Sequence, residues 1–137
     1  MDLEPYLTFD GKCEEALSFY AQCLDGKIVM LQRFADTPAD TPQLPPEWKD
    51  KVMHARLEAE GKRIMGSDRM PGHPFNGYAG FSIAINIPKD PARGRRVFDA
   101  LAAGGRVDVP FEKAFWGASF GMLTDKFGVP WMVNCEE

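Results

Sequence analysis

Apolar and polar residues along this chain fall into two successive blocks that repeat one another. Glu4–Phe9 is a short extended run, and Phe9-Asp10-Gly11 closes it with turn residues. From Lys12 to Leu24, Ala16, Phe19, Tyr20 and Cys23 recur at i, i+3, i+4 and i+7, the spacing of one helix face. Asp25-Gly26 stops that helix, with Gly26 expected in the left-handed conformation past its end. Ile28–Phe34 then returns as a strand. The second block opens with Phe81, Ile83, Ile85 and Ile87 alternating with Ser82, Ala84 and Asn86, a period-2 strand. Asp90 and Pro91 suit an N-cap and the first helical position, and Val97, Phe98 and Leu101 mark the helix face. Gly104-Gly105 ends it before a strand over Val107–Phe111.

Each block continues with two more strand-like runs. These are Val52–Glu58 and Arg63–Ser67 in the first block, Ala118–Thr124 and Val129–Asn134 in the second. The whole reads as βαβββ–βαβββ, an α+β chain forming one domain over 1–137. Its pseudo-repeats span 1–69 and 79–137, joined by a loop at 70–78. A Pro-rich loop covers Thr37–Trp48. One such unit covers one sheet face with its own helix and leaves the other bare, so two units together are expected to form a cleft. A ferredoxin-like sandwich would leave too many strands over.

Composition narrows the function classes. An apolar content of 45% and a charged content of 26% suit a globular protein, and 137 residues suffice for a core. A net charge of -4 argues against a nucleic-acid surface, Arg93, Arg95 and Arg96 reading as a solvated helix face. No apolar run approaches the ~20 residues of a membrane span, and Met1–Pro5 lacks a signal-type start. Cys13, Cys23 and Cys135 have neither even number nor metal spacing, which suits reduced thiols in the cytoplasm.

Five segments are similar to one family. Pro5–Tyr20, Val52–Leu57, Ile64–Asp68, Ala114–Gly117 and Asp125–Asn134 resemble, in order, the PhnB-like branch of the vicinal oxygen chelate superfamily (glyoxalase, bleomycin resistance, dioxygenase). Members of the branch also carry the label 3-demethylubiquinone methyltransferase, yet no strand here is followed by a glycine-rich methyl-donor loop. The resemblance implies two βαβββ modules around a U-shaped cleft within a homodimer. In metal-using members, first and last strands of both modules supply His, Glu or Gln to a divalent ion that polarises vicinal oxygens.

Carried over residue by residue, those positions hold Glu4, Met65, Ser82 and Met132. Of these only Glu4 suits a hard or borderline divalent ion, so no metal and no cofactor are expected. His54 is a candidate general base, placed by alternation with Val52, Arg56 and Glu58. His73 reads as a surface residue, and Ser67-Asp68 as either a hydrogen-bonding pair or a strand end. Tyr6, Trp116, Phe120 and Trp131 form an aromatic set that packs a core or stacks on a planar ligand, and Trp48 sits in the long loop. Asp125–Gly128 reads as a turn, with Gly128 at positive φ.

The reading that follows is a metal-free binding protein for a small, partly aromatic molecule. Its ligand-binding residues are Tyr6, Thr8, Met65, Ser67, Ser82, Trp116 and Met132, and it has no nucleic-acid or membrane partner. The alternative is a metal-dependent lyase, isomerase or dioxygenase acting through Glu4 or His54. A third is a dimer with no ligand of its own.

Overall fold

A computed structural model describes residues 1–36 and 45–137. The chain divides into two units, Met1–Asn76 and Gly77–Glu137, with the boundary inside the expected 70–78 loop. The first contains β1 (Tyr6–Phe9), α1 (Cys13–Leu24), β2 (Lys27–Arg33), β3 (Val52–Ala59) and β4 (Lys62–Asp68). The second contains β5 (Ile83–Asn86), α2 (Pro91–Ala102), β6 (Arg106–Lys113), β7 (Ser119–Thr124) and β8 (Pro130–Cys135). Both are therefore βαβββ modules, as the periodicity implies. Sheet orders are β1-β4-β3-β2 and β5-β8-β7-β6. The first strand of each module runs parallel to the last, and the other pairs are antiparallel. Of the Pro-rich loop, 37–44 lies outside the described residues, and Pro46–Trp48 is a 3-10 turn.

Each helix packs on three strands of its own sheet. In the first module Cys13, Ala16, Leu17 and Tyr20 of α1 are buried with Leu7, Phe9, Ala55, Leu57 and Ile64. The helix stripe is thus turned from its expected centre, for Phe19 and Cys23 are only partly buried. Leu17 and Cys13 take the central places instead. In the second module Val97, Phe98 and Leu101, the expected helix face, are buried, as are Leu123 of β7 and Trp131 and Val133 of β8. Each fully buried Leu or Val contributes about 1.5–3 kcal/mol of transfer free energy, so these two layers supply most of the drive to fold.

The helix ends differ from expectation in an informative way. In the first module Asp25, not Gly26, takes the left-handed conformation, with φ 54°. Gly26 is required for another reason: a Cβ there would lie 2.5 Å from the carbonyl oxygen of Glu58. In the second module Gly104 takes the left-handed residue's role at φ 77°, and a Cβ on Gly105 would lie 2.3 Å from the carbonyl oxygen of Thr124. In both, the chain leaving the helix passes against the backbone of the third strand. That contact leaves no room for a side chain.

Two buried carboxylates hold the loops. Asp68, at the end of β4, accepts from Cys13 N and Val52 N at 2.9 Å each, joining the start of α1 to the start of β3. Asp125 accepts from Phe127 N at 2.8 Å, Val129 N at 3.0 Å and the Trp131 indole at 2.8 Å. The Asp125–Gly128 turn is structural, and Gly128 has the expected positive φ, 88°. Burial, and next the Asp68 carboxylate, push the Cys13 thiol far above its ordinary pKa, which leaves it an inert core group.

Candidate functional site

The candidate site is built on strand alternation in the first module. Leu7, Ala55, Leu57, Ile64 and Gly66 are buried toward α1, so Tyr6, Thr8, His54, Arg56, Met65 and Ser67 project from the other face. Register lines them up across the sheet: Tyr6 opposes Met65, Met65 opposes Arg56, and Arg56 opposes Met30. Thr8 opposes Ser67. Val52 leaves this face, contrary to simple alternation, because a bulge in β3 opposite Gln32 and Arg33 buries it.

Tyr6 and His54 form a pair that their separation of 48 residues conceals in the sequence. The Tyr6 hydroxyl and His54 Nδ1 lie 3.0 Å apart, and the rings stack at 5.6 Å and 20°. His54 therefore belongs to the face away from the helix, and one of its nitrogens is engaged. Tyr6 remains 48% exposed, a large aromatic surface open to a planar partner. Beside the pair, Arg56 Nε is buried with no hydrogen-bond partner among the described residues. An unmet buried donor costs on the order of 1–3 kcal/mol, more when charged. Sequence alternation places Arg56 with His54 but carries no signal of that unmet donor.

The second module repeats the plan with different side chains. Ser82 immediately precedes β5 and follows the alternation of Ala84 and Asn86, away from α2. Ala84 opposes Met132, and Met132 opposes Met122. Asn86 opposes Asn134 and accepts from its Nδ2 at 3.1 Å. Trp116, in the β6–β7 turn, is 54% exposed and meets Phe120 edge-on at 5.6 Å and Phe115 at 4.9 Å.

Other candidates leave the site. Trp131 is fully buried against α2 with its indole on Asp125, so it packs the core and does not face a ligand. Asp68 is likewise inward, while Ser67 beside it points outward. Trp48 donates to the Arg69 carbonyl at 3.0 Å, and the Arg69 guanidinium lies 5.1 Å from its ring centre. His73 is exposed, and its carbonyl accepts from Arg69 at 3.2 Å.

The superfamily's divalent ion does not fit these residues. Glu4 pairs with Arg63 at 3.4 Å, which occupies the one carboxylate of the mapped set. Met65 and Met132 offer thioethers and Ser82 a neutral hydroxyl, all weak donors to a hard or borderline ion. Among the described residues, no group of three or more His, Cys, Asp or Glu side chains converges as a metal site.

Comparison with known proteins gives a consistent relationship. Residues 1–134 match the family model described as 3-demethylubiquinone-9 3-methyltransferase. The protein YjdN of Escherichia coli K12 is 36% identical over 141 residues, covering 98% of this chain and 95% of its own. The crystal structure of PA1353 from Pseudomonas aeruginosa superposes with a TM-score of 0.88 at 47% identity, covering 99% of this chain and 98% of that one. A Bacillus cereus PhnB protein, itself titled a putative 3-demethylubiquinone-9 3-methyltransferase, superposes at 0.79 with 27% identity, covering 98% and 99%.

Proposed function

The chain belongs to the family described as 3-demethylubiquinone-9 3-methyltransferase, the PhnB-like branch of the vicinal oxygen chelate superfamily, and from that premise we propose that it binds a small, partly aromatic molecule without a metal. Tyr6, Thr8, Met65 and Ser67 in the first module, and Ser82, Trp116 and Met132 in the second, make up the binding set. The observation that carries this reading is the stacked Tyr6–His54 pair, half open on the face away from α1. A stacked pair held by a hydrogen bond is pre-organised, so little side-chain entropy is lost when a third ring lies on it.

Methyl transfer is not the reading favoured here. The strand-to-helix turns, Asp10-Gly11-Lys12 and Pro88-Lys89-Asp90, lack the glycine-rich form of a methyl-donor loop. The donor set likewise favours binding over metal-assisted lyase, isomerase or dioxygenase chemistry through Glu4 or His54. The assembly expected of the branch is a homodimer, for which Val107 and Val109 on edge strand β6 offer exposed apolar surface. Three free cysteines suit a reducing cytoplasm, and among the described residues no helix is long and apolar enough to cross a membrane.

The test is a thermal-shift screen of small aromatic metabolites and antibiotics, beside titrations with Mn, Ni, Zn and Fe. Saturable stabilisation by an aromatic compound, lost in Tyr6→Ala, is expected. Stoichiometric metal that disappears in Glu4→Gln would overturn the reading.

A further inference from the structure

We propose that Arg56 makes the first module's binding face selective for an oxyanion, so that the ligand is a small aromatic acid and not a neutral aromatic. The proposal rests on the binding reading above and adds the charge class of the ligand.

Arg56 lies in β3, an interior strand of the order β1-β4-β3-β2, so its backbone is held from both sides. Its direct neighbours across the sheet are Met30 on one side and Met65 on the other. Neither offers more than a weak acceptor to a guanidinium. Ala55 and Leu57, before and after it, are buried toward α1, which commits Arg56 to the face that also carries Tyr6 and His54.

The neighbouring carboxylates are spent elsewhere. Glu58 shares Arg56's strand face, but its oxygen lies 4.0 Å from Arg63 Nε. Glu4 is 3.4 Å from the same nitrogen. Arg63 thus gathers both acids, and Arg56 has no ion pair among the described residues. Its Nε is the buried side-chain donor left without a partner. An always-charged, planar donor fork in this condition matches a carboxylate, phosphonate or sulfonate, each able to take two parallel N–H bonds.

The spacing suits one molecule. Tyr6 and Arg56 stand in one row with Met65 between them. Two strand spacings separate their backbones by about 10 Å, so an aromatic ring beside Tyr6 and His54 can place an acidic substituent at Arg56.

The experiment is calorimetric titration of the full chain with benzoate, phenylphosphonate and neutral benzamide, repeated on Arg56→Met and Arg56→Lys. Wild type is expected to bind at least one of the two acids tenfold or more tightly than benzamide, and whichever acid binds identifies the oxyanion. Arg56→Met is expected to bring that acid to the benzamide level while leaving benzamide binding and Tm unchanged or Tm raised. Arg56→Lys is expected to keep part of the preference. If wild type binds benzamide as tightly as both acids, or Arg56→Met keeps the preference, the inference fails and the binding reading stands. If none of the three binds, both fail. A marked fall in Tm for Arg56→Met would show that the guanidinium has a structural partner, and overturns the inference as well.

Discussion

In the first module, Tyr6, His54 and Arg56 occupy the positions held in the second by Ala84, Phe120 and Met122. The correspondence follows from register: Tyr6 and Arg56 both oppose Met65, while Ala84 and Met122 both oppose Met132. His54 precedes Arg56 by two residues, as Phe120 precedes Met122. The methionine at the centre is the same, and the ring and charge around it are not. Toward the helices the modules agree closely instead. Each buries a similar apolar layer, and each needs a glycine where the chain leaves the helix. Packing constrains the helix side at the level of single methyl groups, whereas the opposite side tolerates divergence. The two modules therefore differ on that opposite side, where the first module carries Arg56, whose Nε is buried without a hydrogen-bond partner among the described residues.

The largest expected effect tests the shared half of this comparison. Gly26→Ala and Gly105→Ala should each destabilise by about 3 kcal/mol, since the new Cβ meets a fixed backbone carbonyl in both cases. Urea unfolding would measure both. A mild effect in one alone would mean that the modules do not share this contact.

The next effects separate the two ways of starting a helix. Asp68 serves the first turn of α1 from 55 residues away, while Asp90 caps α2 locally by accepting from Arg93 N at 3.1 Å. Asp68→Ala should cost about 2–3 kcal/mol, because two buried N–H groups lose their acceptor. Asp90→Ala should cost about 1 kcal/mol, the usual loss of an exposed cap. Equal losses by urea unfolding would remove the distinction.

A smaller effect concerns the aromatic surfaces. Trp116→Ala should leave Tm nearly unchanged, because the ring is half-exposed, yet weaken any aromatic ligand severalfold in calorimetry. A large drop in Tm would make Trp116 a packing residue.

The smallest effect is electrostatic. Hydrogen bonding to Arg33 holds the Glu14 carboxyl below its ordinary pKa, and hydrogen bonds from Thr124 and then Arg106 do the same for Asp108. A depressed folded-state pKa means that the stabilisation is present above the unfolded-state value. It is lost as pH falls through the folded one. Glu14→Gln and Asp108→Asn should therefore lower Tm slightly at pH 7, and the difference from wild type should vanish in acid below the usual carboxylate range of about 4. Both groups are solvent-accessible, so added salt should shrink the difference too.

Local pattern alone determined the order and kind of the α-helices and β-strands among the described residues, though not the 3-10 turns at Phe34–Asp36 and Pro46–Trp48. It also determined the cap at Asp90 and the turn at Asp125–Gly128. These follow from neighbours within a few residues, where periodicity, caps and turn chemistry act directly on the backbone. Tertiary structure decided what depends on residues far apart in the chain. Gly26 is required by the carbonyl of Glu58 and not by its own φ; Asp68 reaches Cys13; Tyr6 finds His54. Arg56 is informative only through the partner its Nε lacks among the described residues, and that lack exists only once Met30, Met65 and the two acids held by Arg63 are in place around it.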